Sequence, residues 1–488
     1  MSLSAELVLQ ITLLLALTAA PLVLVWQYPV ETTIALLAYL AFEEFLLAFV
    51  PDPFSAMARI VPDVLILVGA VSALQRTLRS KGFRWRVITW PEMCIACTGL
   101  LGLAVGVARH VPIVFMIIGA QWLFRYSLVY AIWRLAGDPS RRQLFVRVLI
   151  LVVGLEAALG IIQAGLQSAG VPILDWMQSS IEHTAVGGID IVTGGSKQQL
   201  GLPFYVFGTL GRYHRFGIFE AAGGIVLAFL LLYKVNRDDL ARVTLAAIGL
   251  AIVLSTSRQA LLLVLMAVLG AAWLRLGMPE RVSRIVRGLT MLAVATVIVT
   301  VATGAVALLR SASPFVARLM NVGTLGFRAY YMAIIVPRVL HASHYLGFGI
   351  GTFASRPHVL ANPGLYIQWG FPGQWTFQYS YDSEWAILLG QYGVIGFVLF
   401  YAGIVGFGLR ALRALSSTPD HSVERVLVAT TACYASVLPF LGVVGAELGS
   451  RTTAYIVWSV LGAAMSGIGT RRGDIAQSGP QGRALSTA

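Results

Sequence analysis

The 488 residues are 58% hydrophobic and only 12% charged, with a mean hydropathy of +0.80, which excludes a soluble globular protein. The net charge of +13 lies in short clusters between apolar segments and not along one soluble face, so it reads as positive-inside membrane topology and not as nucleic-acid binding. Three cysteines, Cys94, Cys97 and Cys433, are too few for a disulfide framework; Cys94 and Cys97 have the spacing of a redox or metal pair but sit in an apolar run without further ligands nearby, as buried packing residues do.

A helix needs ~20 apolar residues to cross ~30 Å of hydrocarbon, where every backbone N–H and C=O must find its partner without water. Candidate spans centre roughly on residues 16, 40, 68, 98, 122, 156, 226, 247, 266, 298, 396, 435 and 459. The first follows Met1-Ser-Leu-Ser-Ala-Glu6, which lacks the basic region of a secretory signal, and is succeeded directly by another apolar run; it reads as a retained helix. The expected fold is all-α: one polytopic transmembrane domain over residues 1–488 with about 12–13 transmembrane helices.

Between the spans, the segments 76–86, 134–147, 234–242, 275–287, 410–425 and the tail from Arg471 hold 22 of the 35 Lys and Arg residues. If the spans alternate, all six fall on one side, which is then the cytoplasm. The Gly, Ser and Gln content of residues 471–488 suggests a disordered tail. On the outer side lie two long loops, 169–216 and 310–383, and short turns near Arg109, Arg258 and Arg451. Loops of such length are usually functional or disordered. The second is expected to hold short helices, because Tyr366, Trp369, Phe371, Trp375, Tyr379 and Tyr381 supply aromatic surface able to pack or to stack on sugars. Every histidine except His421 is also on this side.

Four outer-face motifs combine charge with glycine. Arg212-Tyr-His-Arg215-Phe-Gly217-Ile-Phe219 opens one span, and Ser255-Thr-Ser-Arg258-Gln259 sits between two spans with almost no loop. An arginine in hydrocarbon costs at least ~2.5–3.5 kcal/mol on insertion scales. Each could simply snorkel to the interface; several converging on one face would form an anion site. Gly326-Phe-Arg328-Ala-Tyr-Tyr leads into Leu346-Gly-Phe-Gly349-Ile-Gly351-Thr-Phe353, whose glycines fit either a backbone cradle for phosphate or a tight turn. Tyr381-Asp382-Ser383-Glu384-Trp385, before Gly390-Gln-Tyr-Gly393-Val-Ile-Gly396, puts two carboxylates at the mouth of a span. They could complement the helix dipole, or one could act as a general base beside an anion clamp.

In order and spacing, these motifs make residues from about Arg212 to about Gly396 resemble the bacterial O-antigen polymerase and ligase superfamily. Its signature here is R-x-G-x-F opening a span, T-S-R between spans, an outer loop with an Arg and G-x-G-x-F, then a polar pair before a G-x-x-G helix. Where many members carry His-Asn, this chain has Asp382-Ser383; an Asp in a similar position occurs in the related peptidoglycan polymerases of the shape, elongation, division and sporulation class. The resemblance implies a GT-C-like fold in the bacterial inner membrane, with an active site on the extracytoplasmic side. It implies glycan transfer from a polyprenyl-pyrophosphate carrier to a glycan acceptor. Asp382 would be the general base, and Arg215, Arg258 and Arg328 the pyrophosphate clamp. Arg212, Glu384, His344, His358 and Tyr381 would complete the substrate site, with Glu384 and the two histidines also being rival bases beside His214 and His341. No metal or cofactor is expected, because arginines take the charge-stabilising role of Mg²⁺. Membrane lipid, and a protein that sets chain length, are further candidate partners.

Polymerase and ligase share donor chemistry and differ in the acceptor. A lipid-linked glycan flippase is the rival from another class. Glu43, Glu44, Arg125 and Glu156 are intramembrane ionisable groups of the kind that line ion pathways, but they read as scattered, and no paired interrupted segments or internal repeat mark a transport site. Glu156 could instead pair with Arg125 as a structural bridge.

Overall fold

The computed structural model describes residues 20–50, 55, 58–81, 88–171, 206–235, 239–274, 276, 280, 284, 335–353, 356–369, 383–444 and 451–477. The spans expected around residues 16 and 298 lie outside these, as do most of both long loops and Arg328, Tyr381 and Asp382.

Fifteen helices form among the described residues: α1 (Pro29–Leu47), α2 (Val61–Lys81), α3 (Trp90–Ala108), α4 (Ile113–Phe124), α5 (Ser127–Ala136), α6 (Pro139–Ser168), α7 (Tyr213–Leu232), α8 (Asp239–Ser255), α9 (Arg258–Trp273), α10 (Val336–Ala342), α11 (Arg356–Ala361), α12 (Pro363–Gln368), α13 (Glu384–Leu415), α14 (Val423–Val444) and α15 (Arg451–Gln477). Their starts are encoded locally. Thr89 and Glu92 form a capping box at α3, and Asp138 accepts from Arg141 N at 2.9 Å at the head of α6. Six helices, within Val61–Arg79, Trp90–Ala108, Pro139–Ser168, Tyr213–Leu232, Glu384–Leu415 and Val423–Gly442, are long and apolar enough to cross a bilayer. Their outward faces remain apolar: Leu100, Val107, Leu151 and Phe440 are all more than 60% exposed, a surface that needs lipid. The chain is an all-α polytopic membrane protein.

Alternation of the helices is visible in their contacts. At one end the basic segments meet each other: Arg141 pairs with Glu31 at 2.8 Å, Arg142 lies 3.9 Å from Glu424, and His421 Nδ1 lies 2.7 Å from the Tyr233 carbonyl. At the opposite end, Arg109 donates to Ser343 O at 3.0 Å and Ser383 to Gly442 O at 3.2 Å. No residue expected on one side bonds across to the other in these contacts.

α7 is the central helix. It packs on α6, α8, α9, α14 and α15, and every residue from Phe216 to Leu227 is buried; apart from Glu220 these are apolar residues and glycines, as on a helix enclosed on all sides. The segment 206–212 before it lies inside the bundle, where irregular backbone survives only with partners. Gln163 Oε1 accepts from Phe207 N and Gly208 N, both at 3.0 Å, and Glu156 Oε2 accepts from Thr209 N at 3.0 Å. Residues 206–210, read as part of an outer loop, therefore belong to the core, and 211–215 beside them are half-buried.

Two spans are not simple rods. The one centred on residue 122 breaks at Arg125–Tyr126 into α4 and α5. α13 is interrupted at Gly393, whose φ of 65° and ψ of −170° are non-helical. α15 continues through Arg471 to Gln477, so the expected disordered tail begins as helix; residues 478–488 lie outside the described set.

Candidate functional site

The break between α4 and α5 turns Arg125 toward Asp63 in the first turn of α2, where the two form an ion pair at 2.7 Å. Gln121 also donates to Asp63, and Arg451, the first residue of α15, lies 3.9 Å from it. Arg451 then donates to Glu43 at 2.6 Å and to the Arg59 carbonyl at 2.6 Å. Next along α1, Glu44 takes both Nη atoms of Arg59, at 3.1 and 2.8 Å, and Nη1 of Arg215 at 3.4 Å. Among the described residues, four guanidiniums (Arg59, Arg125, Arg215, Arg451) thus meet three carboxylates (Glu43, Glu44, Asp63) in one connected cluster at the end opposite the basic segments.

Exposure separates its members. Glu43 is 3% exposed and Glu44 12%, whereas Arg59 and Arg215 are 30% and 34% exposed. The carboxylates form the floor, and two arginines sharing one of them face outward with N–H donors to spare. A guanidinium has five donors in a rigid fork, and a surplus cation in a partly water-excluded place is suited to phosphate. This corrects two readings: Glu43, Glu44 and Arg125 are gathered, not scattered, and Arg125 pairs with Asp63 while Glu156 is held by Thr209.

Arg215 belongs to the first turn of α7, with Arg212 as its N-cap residue and His214 beside Tyr213. The Ser255–Arg258 turn docks on the same helix: a Cβ at Gly217 would come within 2.6 Å of Ser255 Oγ and Ser257 Cβ. Ser257 caps α9, accepting from Ala260 N at 3.3 Å. Gly217 therefore lets two arginine-bearing motifs join at one level, and Arg258 begins α9 there. Arg59 and Asp63 were not singled out from the sequence and Arg451 only as the mark of an outer turn, although each stands at the edge of an apolar run where a charge is expensive.

For the glycine motif the structure selects the turn. The N–H groups of residues 348–351 are all taken by protein acceptors: Phe348 by Gly390 O at 2.9 Å, Gly349 by Gln391 O at 2.9 Å, Ile350 by Gly102 O at 3.1 Å and Gly351 by Gln391 Oε1 at 3.0 Å. They have none to offer a phosphate, so the cradle reading is withdrawn. The loop instead fills the break at Gly393, with Val394 N donating to Tyr345 O at 3.1 Å. Gly351 has φ of 81°, and a Cβ there would overlap the Phe115 carbonyl. Gly351→Ala is expected to destabilise the protein by about 2–4 kcal/mol, read as a lowered thermal midpoint in detergent; an unchanged midpoint would show that the loop yields.

Ser383 caps α13 and bonds to α14, while Glu384 is buried and accepts from Tyr401 Oη at 3.1 Å. Glu384 therefore braces α13, and its sequence neighbour Asp382 lies outside the described residues. His344 is exposed in a turn with φ of 53°. His358 Nδ1 lies 2.9 Å from Tyr366 Oη, and burial pushes its pKa down to about 4. With Phe353, Trp369 and Ile387 buried beside Tyr366, it is part of a small second core. His358 is thus neutral at physiological pH when folded and protonates more readily when unfolded. The packing of α10–α12 should be firm above about pH 6.5 and loosen as pH falls toward about 4. Amide exchange in residues 356–369 measures this, and His358→Phe should flatten the dependence; an equal acid response in that variant would assign it elsewhere.

Fold and site together define an all-α polytopic membrane protein with a cation-rich cluster at one end of the bundle. In comparisons with known proteins, no family model and no curated protein matches the chain.

Proposed function

We propose that the protein is an inverting glycosyltransferase that polymerises oligosaccharide repeat units carried on polyprenyl pyrophosphate, at the outer face of a bacterial cytoplasmic membrane. One observation carries this reading: Arg215, the arginine of the R-x-G-x-F motif, stands with Arg59 on a single carboxylate, Glu44, in a cluster whose guanidiniums outnumber its carboxylates among the described residues. The position of the basic segments at the other end of the bundle supports an outer-face location for that cluster.

In the proposed reaction an acceptor hydroxyl attacks the donor sugar at C1. The bond from C1 to the pyrophosphate oxygen breaks, the hydroxyl proton passes to Asp382, and polyprenyl pyrophosphate leaves. One displacement inverts C1. General-base help is worth ~10²–10⁴-fold. Arg215, with Arg258 and Arg328, takes up charge developing on the leaving group. The aromatic loop holds the acceptor, and apolar grooves between helices take the lipid.

Purified protein incubated with a polyprenyl-pyrophosphate oligosaccharide is expected to give a ladder on gels, lost in Asp382→Asn and in Arg258→Ala. Transfer to an end acceptor such as lipid A core without a ladder would make it a ligase. Verified binding without reaction would overturn the enzyme reading in favour of a flippase.

A further inference from the structure

Below the arginine cluster, α6 and α7 cross closely through two glycines. A Cβ at Gly160 would meet the Phe216 ring, and one at Gly223 would meet the Val153 side chain. Going from Val153 to Gly160 along α6 thus corresponds to going back from Gly223 to Phe216 along α7. In this antiparallel register Glu156, three residues past Val153, stands across from Glu220, three residues before Gly223. Both carboxyls are 0% exposed.

Among the described residues no cation answers them; the group that acts electrostatically on Glu220 is Glu156, and the partner of Glu156 is Thr209. Neither oxygen of Glu220 has a hydrogen-bond partner. From the elements packed around the pair, Tyr434 of α14 spends its hydroxyl on Ala222 O at 2.7 Å, and Ser255 of α8 bonds to Ile252 O at 2.7 Å. Gln163 is held by Phe207 and Gly208, and Glu43 of α1 is paired with Arg451. Two unpaired carboxylates in so dry a place would each cost several kcal/mol.

The hydrogen bonds around Thr209 are compatible with a proton on the pair. Thr209 Oγ1 lies 2.8 Å from the Ala41 carbonyl and is also bonded to Glu156 Oε1. A hydroxyl has one proton. The one proton of Thr209 serves one of these acceptors at a time, and a proton on Glu156 Oε1 would let both contacts be made.

We propose that Glu156 and Glu220 form a proton-binding site in the membrane-embedded core. The site is outside the arginine cluster and stands whether the chain is a transferase or a carrier.

The test uses the full-length protein in detergent, with thermal midpoints measured between about pH 6 and 9 at constant ionic strength, in choline chloride and in sodium chloride. Protons bound only by the folded state are lost as pH rises, so wild type is expected to lose stability, by up to about tenfold in its folding constant per pH unit per proton. The double variant Glu156→Gln/Glu220→Gln imitates the protonated pair, and its midpoint is expected to fall less over the same range. Parallel profiles for the two proteins would overturn the proposal, and so would a wild-type midpoint raised by sodium over choline, which would make the pair a sodium site. Should the double variant fail to fold, infrared spectra of wild type decide: the C=O stretch of a protonated carboxyl is expected at neutral pH and reduced in Glu220→Gln alone, and its absence overturns the assignment.

Discussion

Arg215→Ala is expected to lower kcat for glycan transfer by ~10²–10³-fold, the usual loss when one preorganised charge-stabilising donor is removed from a developing anion. Its fold should survive, because Arg215 is a third exposed and Glu44 keeps both bonds to Arg59. Arg215→Lys should recover only part of the rate, since a lysine offers a point charge and not a two-pronged fork. Single-turnover rates on a saturating lipid-linked donor separate this from a change in binding alone. Full activity in Arg215→Ala would remove the cluster from the reaction and leave it a structural clamp.

The second large effect concerns stability. Arg451→Met takes the partner from Glu43, a carboxylate only 3% exposed, and also removes the bond to the Arg59 carbonyl that ties α15 to the loop before α2. Removing one member of a buried ion pair costs about 3–5 kcal/mol, most of it the charge left behind. The thermal midpoint should fall sharply, and Glu43→Gln added to Arg451→Met should restore much of it. If the double variant is as unstable as the single one, packing and not the stranded carboxylate explains the loss.

Much of the architecture could be read before any coordinates, because bilayer thickness writes itself into local sequence: Pro139–Ser168 and Tyr213–Leu232 are visible as apolar lengths, and the clusters around Arg141 and Arg410 mark one side. The ionic cluster has no such local signature. Glu43, Arg125 and Arg451 come from distant helices, and Arg125 reaches Asp63 only because a span that reads as continuous breaks beside it. Glu220 passed unnoticed inside an apolar run, although an acid there is itself the signal. The glycines at 347, 349 and 351 were ambiguous because cradle and tight turn need the same freedom at φ > 0; their N–H partners, Ser343 Oγ for Gly347 and Gln391 for Gly349 and Gly351, decide between them.

Release of polyprenyl pyrophosphate tests the central claim most directly. With purified wild-type protein, a lipid-linked oligosaccharide and mass-spectrometric detection, free polyprenyl pyrophosphate should appear in step with glycan lengthened by whole repeat units, and should fall by ~10²-fold or more in Arg215→Ala. Bound but intact donor in the wild-type protein, with no carrier released, would contradict the account.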